Sequence, residues 1–198
     1  VWGSLEVLRA LESVGVRFEV RHMGAFRELD RPCVFVSNHM STLETFIFTG
    51  IIEPHREITY VIKESLVRYP VFKHIMRSRH PVVVTRKNPR QDFETVLREG
   101  GERLSRGISM VVFPQTTRSV AFQRERFNTI GVKLARRAGV PVVPVALATD
   151  PWGTGGWPIK DFGRIDPRRP VRIHFGDPLP IRGSGREEHE RVADFIEG

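Results

Sequence analysis

The hydrophobic positions of this chain fall into short runs separated by longer amphipathic stretches. Apolar runs of four to six residues, rich in β-branched side chains, recur at residues 33–36, 58–62, 81–85, 109–113 and 142–147. Short runs that are apolar throughout are typical of strands buried on both faces of a parallel sheet. Residues 16–21 instead alternate apolar and charged side chains, which predicts an edge strand with one face in water.

The stretches between these runs carry the three- and four-residue spacing of amphipathic helices. This spacing predicts helices at residues 3–14, 41–52, 66–79, 90–106 and 129–138. Alternation of strands and helices through about residue 150 predicts an α/β fold, in which helices cover a largely parallel central sheet. We expect one layered domain over residues 1–198, with a last strand at 171–175 and a polar tail that ends in a short helix.

Charge narrows the classes of partner. The chain has 31 Lys and Arg against 23 Asp and Glu, a net charge of +8. Such a field attracts nucleic acid, anionic lipid headgroups or phosphorylated small molecules, although it is also compatible with a merely well-solvated surface. The longest stretches without a charged residue, 32–43 and 138–149, have twelve residues each, well short of the ~20 that span a bilayer.

The cysteine content indicates a compartment. The single cysteine, Cys33, excludes an internal disulfide, and its place in an apolar run predicts a buried thiol in a reducing, cytoplasmic environment. Because the sequence opens on Val1 rather than Met, a membrane anchor or targeting signal upstream of these residues is compatible with it.

Polar side chains follow four of the predicted strands. The carboxyl ends of parallel strands meet at one edge of a sheet, where ligands bind. The residues expected to meet there are Asn38, His39, Lys63, Arg86, Lys87 and the segment 115–118. One histidine and several cations therefore converge on one edge.

His39 and Glu44 can be read in two ways. A neutral imidazole takes a proton from a hydroxyl at pH 7, and a nearby carboxylate fixes its tautomer. Glu44 lies five residues on, within reach of His39. The segment STLE at 41–44 is also a capping-box pattern, in which Glu44 would bond the Ser41 N–H and start a helix. Both readings stand on the sequence.

Arg86 and Arg118 indicate a substrate that carries a phosphate. The planar guanidinium offers a fork of donors that matches phosphate oxygens. A lone arginine is more often paired with a surface acid, but two of them beside a candidate base favour phosphate.

The sequence contains, in this order, NHMSTLE at 38–44, VVVTR at 82–86, VFPQTTRS at 112–119 and VPVVPV at 140–145. Together these four segments resemble the glycerolipid acyltransferases, the family of 1-acylglycerol-3-phosphate and glycerol-3-phosphate acyltransferases. NHMSTLE at 38–44 is similar to their Asn-His-x4-Asp/Glu motif, and VVVTR at 82–86 to a second block that ends in a phosphate-contacting Arg. VFPQTTRS at 112–119 resembles a third block, usually Phe-Pro-Glu-Gly-Thr-Arg-Ser, and VPVVPV at 140–145 a fourth, a Pro-containing apolar strand. Order and spacing agree across about residues 32–147.

The resemblance implies roles for particular residues. His39 would be the general base, Glu44 its orienting carboxylate, and Arg86 and Arg118 the groups that bind the acceptor's phosphate. The other substrate-binding residues would be Thr117, Ser119, Gln115, Thr116 and, more loosely, Lys63. Gln115 and Thr116 depart from the family's Glu and Gly, which puts the choice of acceptor in doubt. No metal and no cofactor are implied, only acyl-CoA or acyl carrier protein as co-substrate.

The implied reaction moves a fatty acyl group to the hydroxyl of a phosphate-bearing glycerolipid, foremost 1-acylglycerol-3-phosphate, giving phosphatidate. Glycerol 3-phosphate or another lysophospholipid is the alternative acceptor. The expected partners are the lysophospholipid, the acyl thioester and an anionic membrane surface. The protein would bind peripherally to the cytoplasmic face of that membrane. No nucleic acid is expected as a partner. The apolar residues Phe46, Phe48, Ile51 and Ile52 would either dock on lipid or, as we favour, pack in the core.

The rival from another class is a basic module that binds nucleic acid or lipid without catalysis. Charge alone supports it, since basic stripes interleaved with aromatic residues are missing from the sequence. A hydrolase is disfavoured because the sequence has neither a nucleophile elbow nor a His-Glu-x-x-His motif.

Overall fold

One mixed sheet lies at the centre of the protein. In the computed structural model, residues 2–68, 79–115, 117–153 and 163–198 are described. Their strands are β1 (Phe18–Arg21), β2 (Val34–Ser37), β3 (Ile58–Lys63), β4 (Val82–Val84), β5 (Ser109–Val112), β6 (Val142–Ala148) and β7 (Val171–Phe175). The strands lie in the order β1-β7-β6-β2-β5-β3-β4. Neighbours are parallel except β6 and β7, which are antiparallel, so the predicted α/β fold with a largely parallel sheet is confirmed.

The middle of the sheet is buried on both faces. Every residue of β2 and β5 is buried, and separate clusters of apolar side chains lie on the two faces. This explains why the central strands are apolar except for Ser37 and Ser109. Toward the edge, β7 alternates buried residues with the exposed Arg172 and His174. β1 is the edge strand that its alternation predicts.

Helices cover the two faces. Those of the described residues are α1 (Trp2–Ser13), α2 (Gly24–Arg27), α3 (Leu43–Ile51), α4 (Glu64–Arg68), α5 (Pro89–Ser105), α6 (Ile130–Ala138) and α7 (Arg186–Glu197). The local sequence sets several ends. α5 starts where the Asn88 side chain accepts a hydrogen bond from the Gln91 N–H at 3.2 Å and Pro89 takes the first helical position. α6 ends at Gly139, whose φ of 67° is left-handed.

Some elements differ from the prediction. α4 begins before the predicted helix at 66–79, and most of that prediction lies outside the described residues. α2 and a 3₁₀ turn at Arg124–Arg126 were not predicted, because elements of three or four residues are too short to show a period. The first helix of the motif region begins at Leu43 rather than at residue 41, since residues 38–42 form the turn that builds the site.

α3 packs into the core. Phe48 and Ile52 have no exposed surface, and Phe46 is 6% exposed. Ile51 is partly buried against the same cluster. The alternative in which these side chains dock on lipid is therefore wrong, and the core interpretation is correct.

Cys33 is a buried free thiol, as predicted. Its side chain has no exposed surface, and burial raises the pKa of the thiol to about 11. Cys33 is consequently protonated at neutral pH and acts as a small apolar residue.

Within the described residues, no helix combines the length and the apolar character that crossing a bilayer requires.

Candidate active site

The site is built where β2 ends at the carboxyl edge of the sheet. Beyond Ser37, the side-chain amide of Asn38 takes over the pairing with β6. Its nitrogen donates to the Leu147 carbonyl at 2.8 Å, and its oxygen accepts from the Leu147 N–H at 2.9 Å. Ser37 Oγ also donates to the Val145 carbonyl at 2.8 Å. The Asn38 side chain thus pairs with both backbone groups of Leu147. The backbone at Asn38 is therefore free to turn and carry His39 away from the sheet.

Neighbouring groups hold both the backbone and the side chain of His39. Its carbonyl accepts from the Ser119 N–H at 2.9 Å, and its N–H donates to Gln115 Oε1 at 3.0 Å. The imidazole stacks on the Phe113 ring at 4.6 Å between centroids and is 21% exposed. Its Nδ1 forms a short hydrogen bond with Glu44 Oε2. Since a carboxylate accepts, Nδ1 donates, and the lone pair of the neutral ring lies on Nε2.

Glu44 is fully buried and uses its two oxygens differently. Oε2 faces His39. Oε1 accepts from the N–H groups of Met40 and Ser41, each at 2.6 Å, and from Thr149 Oγ1 at 2.8 Å. The bond from the Ser41 N–H is the one that a capping box predicts. The two readings of Glu44 are therefore compatible, because the same side chain bonds the start of α3 and contacts the imidazole.

The loop after β5 lies beside His39. Arg118 donates a short hydrogen bond to Thr42 Oγ1, which places the arginine next to the His39 turn. Arg118 and Thr117 are exposed, whereas Ser119 is half-buried. Gln115 is buried, and its side-chain carbonyl accepts a hydrogen bond from the His39 N–H. Thr116, the second departure from the family pattern, lies outside the described residues.

Arg86 follows β4 in a left-handed conformation, with φ of 60°. Asp92, in the first turn of α5, holds that conformation. One carboxylate oxygen accepts from the Thr85 N–H at 2.9 Å, and the other accepts from the Arg86 N–H at 2.7 Å. A non-glycine residue with positive φ persists only where its surroundings fix it, and here the fixing group is Asp92.

Arg86 and Lys63 lie farther from His39 than Arg118 does. Both side chains are exposed at the same edge, and Lys63, the last residue of β3, pairs with Val84 of β4. β4 is three strand positions from β2, which amounts to about 14 Å. Arg118, in contrast, follows the strand adjacent to β2. The structure thus groups His39, Glu44, Gln115 and Arg118 and leaves Arg86 and Lys63 toward the end of the same edge.

Three residues of the site region escaped the sequence analysis, namely Phe113, Asp92 and Thr149. Thr149 directly follows β6 at the carboxyl edge, so the same rule that selected His39 and Arg118 would have found it. Phe113 reads as the last apolar residue of a strand, and Asp92 as an ordinary acid in a helix first turn. Asp92 carries no signal of its own in the sequence, whereas Phe113 is the Phe of the third family block, to which no role had been assigned.

The arrangement is suited to proton transfer. A buried carboxylate fixes the imidazole through Nδ1 and turns the basic nitrogen, Nε2, outward, which is the geometry of a general base. No three His, Cys, Asp or Glu side chains of the described ranges are grouped so as to hold a metal ion.

The fold and the site together define an α/β protein with a histidine–carboxylate pair at the carboxyl edge of its sheet. The model of the family described as Acyltransferase matches residues 17–148, more than half of the chain. The chain therefore belongs to the acyltransferase family, as its four motifs indicated.

Individual relatives agree with this placement. The chain is 35% identical to a 1-acyl-sn-glycerol-3-phosphate acyltransferase of Pseudomonas aeruginosa over 144 residues, 72% of this chain and 54% of that protein. It is 32% identical to 1-acyl-sn-glycerol-3-phosphate acyltransferase beta of Homo sapiens over 138 residues, 68% of this chain and 48% of that protein. The chain thus spans about half the length of these curated relatives.

A solved structure shares the fold. The crystal structure of the 1-acyl-sn-glycerophosphate acyltransferase PlsC from Thermotoga maritima aligns with a TM-score of 0.74 and 22% sequence identity. The alignment covers 96% of this chain and 73% of that chain. The structural alignment therefore covers more of the chain than the family model does.

Proposed function

We propose that this protein transfers a fatty acyl group from acyl-CoA or acyl carrier protein to the hydroxyl of 1-acylglycerol-3-phosphate, giving phosphatidate. The observation that carries the proposal is the contact between the imidazole of His39 and the buried carboxylate of Glu44, with Arg118 on the adjoining loop. The names of the relatives in Pseudomonas aeruginosa and Homo sapiens support this acceptor. Glycerol 3-phosphate or another lysophospholipid is the alternative.

His39 Nε2 takes the proton of the acceptor hydroxyl as its oxygen attacks the thioester carbonyl. The tetrahedral intermediate collapses by breaking the carbon–sulfur bond, and the thiolate leaves with the proton returned from His39. Glu44 stabilises the imidazolium formed between these steps. General-base help of this kind supplies about 10²–10⁴ in rate, and positioning of the acceptor supplies much of the rest. No acyl-enzyme and no cofactor take part.

Arg118 and Arg86 bind the acceptor's phosphate in this proposal, with Thr117 and Ser119 as further donors and Lys63 as an outlying cation. Arg118 is the nearer of the two arginines to His39, so we assign it the contact that sets the hydroxyl against the base. Gln115 acts through its hydrogen bond to the His39 backbone.

The activity is tested with purified protein, a panel of acceptors and both donor types, read by mass spectrometry of the lipid products. The panel contains lysophosphatidate, glycerol 3-phosphate and a lysophospholipid with a choline headgroup. We expect phosphatidate from lysophosphatidate at the highest rate. Absence of acylated product from every acceptor, together with a gel shift of DNA or RNA, would favour the rival nucleic-acid-binding module.

Replacing Arg118 with Ala should raise KM for the phosphate-bearing acceptor about tenfold to a hundredfold, the scale of losing hydrogen bonds between charged groups. The value of kcat should change little, because the base is retained. Arg118→Lys should recover part of the loss, since it restores the charge but not the fork. Arg137→Ala is the matched control, an exposed arginine near the end of α6, which leads to the opposite edge of the sheet. An unchanged KM for Arg118→Ala would remove Arg118 from the phosphate site.

Peripheral binding to the cytoplasmic face of an anionic membrane is part of the proposal, because lysolipid and product both reside in a bilayer. The net charge of +8 supports it. So do two exposed apolar side chains, Trp2 at 79% and Val120 at 72%, the latter two residues beyond Arg118. We expect flotation with vesicles containing anionic lipid that weakens as salt rises, and little flotation with neutral vesicles. Equal binding to both vesicle types would refute the electrostatic contribution.

A further inference from the structure

Thr149 touches the carboxylate that orients His39, yet lies one position past the last residue matched by the family model. The residue follows the last position of β6 and has no exposed surface. Its hydroxyl lies 2.8 Å from Glu44 Oε1 and 2.9 Å from Ser41 Oγ. Thr149 therefore joins the end of one strand to the turn at the end of its neighbour.

The directions of these hydrogen bonds follow from the carboxylate. Glu44 Oε1 can only accept, so the Thr149 hydroxyl donates its one hydrogen to it. Because that hydrogen is used, Thr149 Oγ1 accepts from the Ser41 hydroxyl. Ser41 Oγ in turn accepts from the Leu43 N–H at 3.2 Å. This series of hydrogen bonds runs in one direction, from the α3 backbone through two hydroxyls to Glu44.

These hydrogen bonds fix the plane of the Glu44 carboxylate. Oε1 receives two backbone N–H groups from the His39 turn itself and a third donor from Thr149, which follows β6, the strand paired with β2. The two backbone donors belong to one short turn and move with it. Thr149 is the donor that ties Glu44 to the sheet, and with Oε1 held by both the turn and the end of β6, Oε2 is directed at His39 Nδ1.

We infer that Thr149 is a positioning residue for acyl transfer, which holds Glu44 in the orientation that keeps His39 a base. The inference rests on the proposed function of His39 and Glu44. A purely structural role, filling the space between β6 and α3, would require the size of the side chain but not its hydroxyl.

The test compares Thr149→Val, which keeps the shape and removes the hydroxyl, with Thr149→Ser, which keeps the hydroxyl. We expect Thr149→Val to lower kcat about tenfold or more, the scale of losing one hydrogen bond to a charged group, with KM for both substrates within twofold of wild type. Thr149→Ser should keep kcat within about threefold. Equal losses in the two variants, or a loss confined to KM, would overturn the inference.

A second measurement places Thr149 and Glu44 in one unit. In a protein that already carries Glu44→Gln, adding Thr149→Val should lower kcat by less than twofold, since residues that act together are not additive. A full additional tenfold loss would mean that Thr149 acts elsewhere. If Glu44→Gln alone has no effect, the proposed base fails. If Glu44→Gln is inactive and Thr149→Val is fully active, only the present inference fails.

Stability is measured alongside, because Thr149→Val leaves the Ser41 hydroxyl without its acceptor. Circular dichroism and thermal melts establish that the variants are folded at the assay temperature. Should Thr149→Val not fold, Thr149→Cys carries the same prediction, since its thiol is a weaker donor of similar size. Its kcat is then expected below that of Thr149→Ser, and equality of the two would refute the role of the hydroxyl.

Discussion

Alanine in place of His39 should lower kcat about 10²–10⁴-fold, the contribution of a positioned general base. The acceptor hydroxyl would then lose its proton only to solvent, while Arg118 would still bind the phosphate. KM should consequently change little. Steady-state kinetics with lysophosphatidate and acyl-CoA measure both quantities. A kcat above about a tenth of the wild-type value would contradict the assignment of His39 as the general base.

The variant should remain folded. The imidazole is partly exposed, and the backbone of residue 39 keeps its bonds to Gln115 and Ser119, which do not involve the side chain. The variant loses the stacking on Phe113, and Glu44 Oε2 loses its hydrogen-bond partner. A lower melting temperature is therefore expected, without loss of the far-ultraviolet circular dichroism signal. His174→Ala is the matched control, since His174 is an exposed histidine on β7, away from the site.

Much of the sheet could be predicted because burial on both faces leaves a simple signal. β2 and β5 are buried at every position and are apolar apart from one serine each, Ser37 and Ser109. The direction of β7 could not be predicted, because alternation with a period of two is the same in either direction. The antiparallel pairing of β6 and β7 is therefore visible only in the structure.

Part of the candidate site could be predicted from rules that depend only on neighbouring residues in the sequence. His39, Arg86 and Arg118 follow predicted strands, and the rule on carboxyl ends brings them to one edge. What local rules could not provide is contact at long sequence separation. Thr149 meets Glu44 across 105 positions, and the side chain of Asn38 replaces backbone pairing with β6. Such contacts depend on which strands are neighbours, and strand order is not visible in the periodicity of any one of them.

The positions that depart from the family pattern show the same limit. From sequence, Gln115 is an exchange that removes a charge near the phosphate site. In the structure its carbonyl oxygen accepts from the His39 N–H, a bond that a glutamate oxygen would make equally well. The exchange thus conserves the support of His39 and alters only what the other end of the side chain presents.

Glutamine in place of Glu44 should inactivate the protein while preserving its fold. Three donors converge on Oε1, so the amide oxygen of the glutamine takes that place. The amide nitrogen then occupies the place of Oε2 against His39. An amide NH₂ can only donate, so Nδ1 must accept and the ring proton moves to Nε2. A protonated Nε2 cannot take the proton of the acceptor, and enforcing the wrong tautomer in this way lowers kcat by about 10⁴.

The tautomer itself is the decisive measurement for Glu44→Gln. In protein with ¹⁵N-labelled histidine, the His39 signals should report a proton on Nδ1 in the wild type and on Nε2 in the variant, at a pH where the ring is neutral. Glu44→Asp is the control that keeps a carboxylate. It should retain the proton on Nδ1 and lose less activity, because an acid of either length can accept from the imidazole. If Glu44→Gln kept kcat within tenfold of wild type while its tautomer switched, Nε2 would not be the base. An inactive variant with an unchanged tautomer would instead mean that the charge of Glu44, through its stabilisation of the imidazolium, is what the reaction requires.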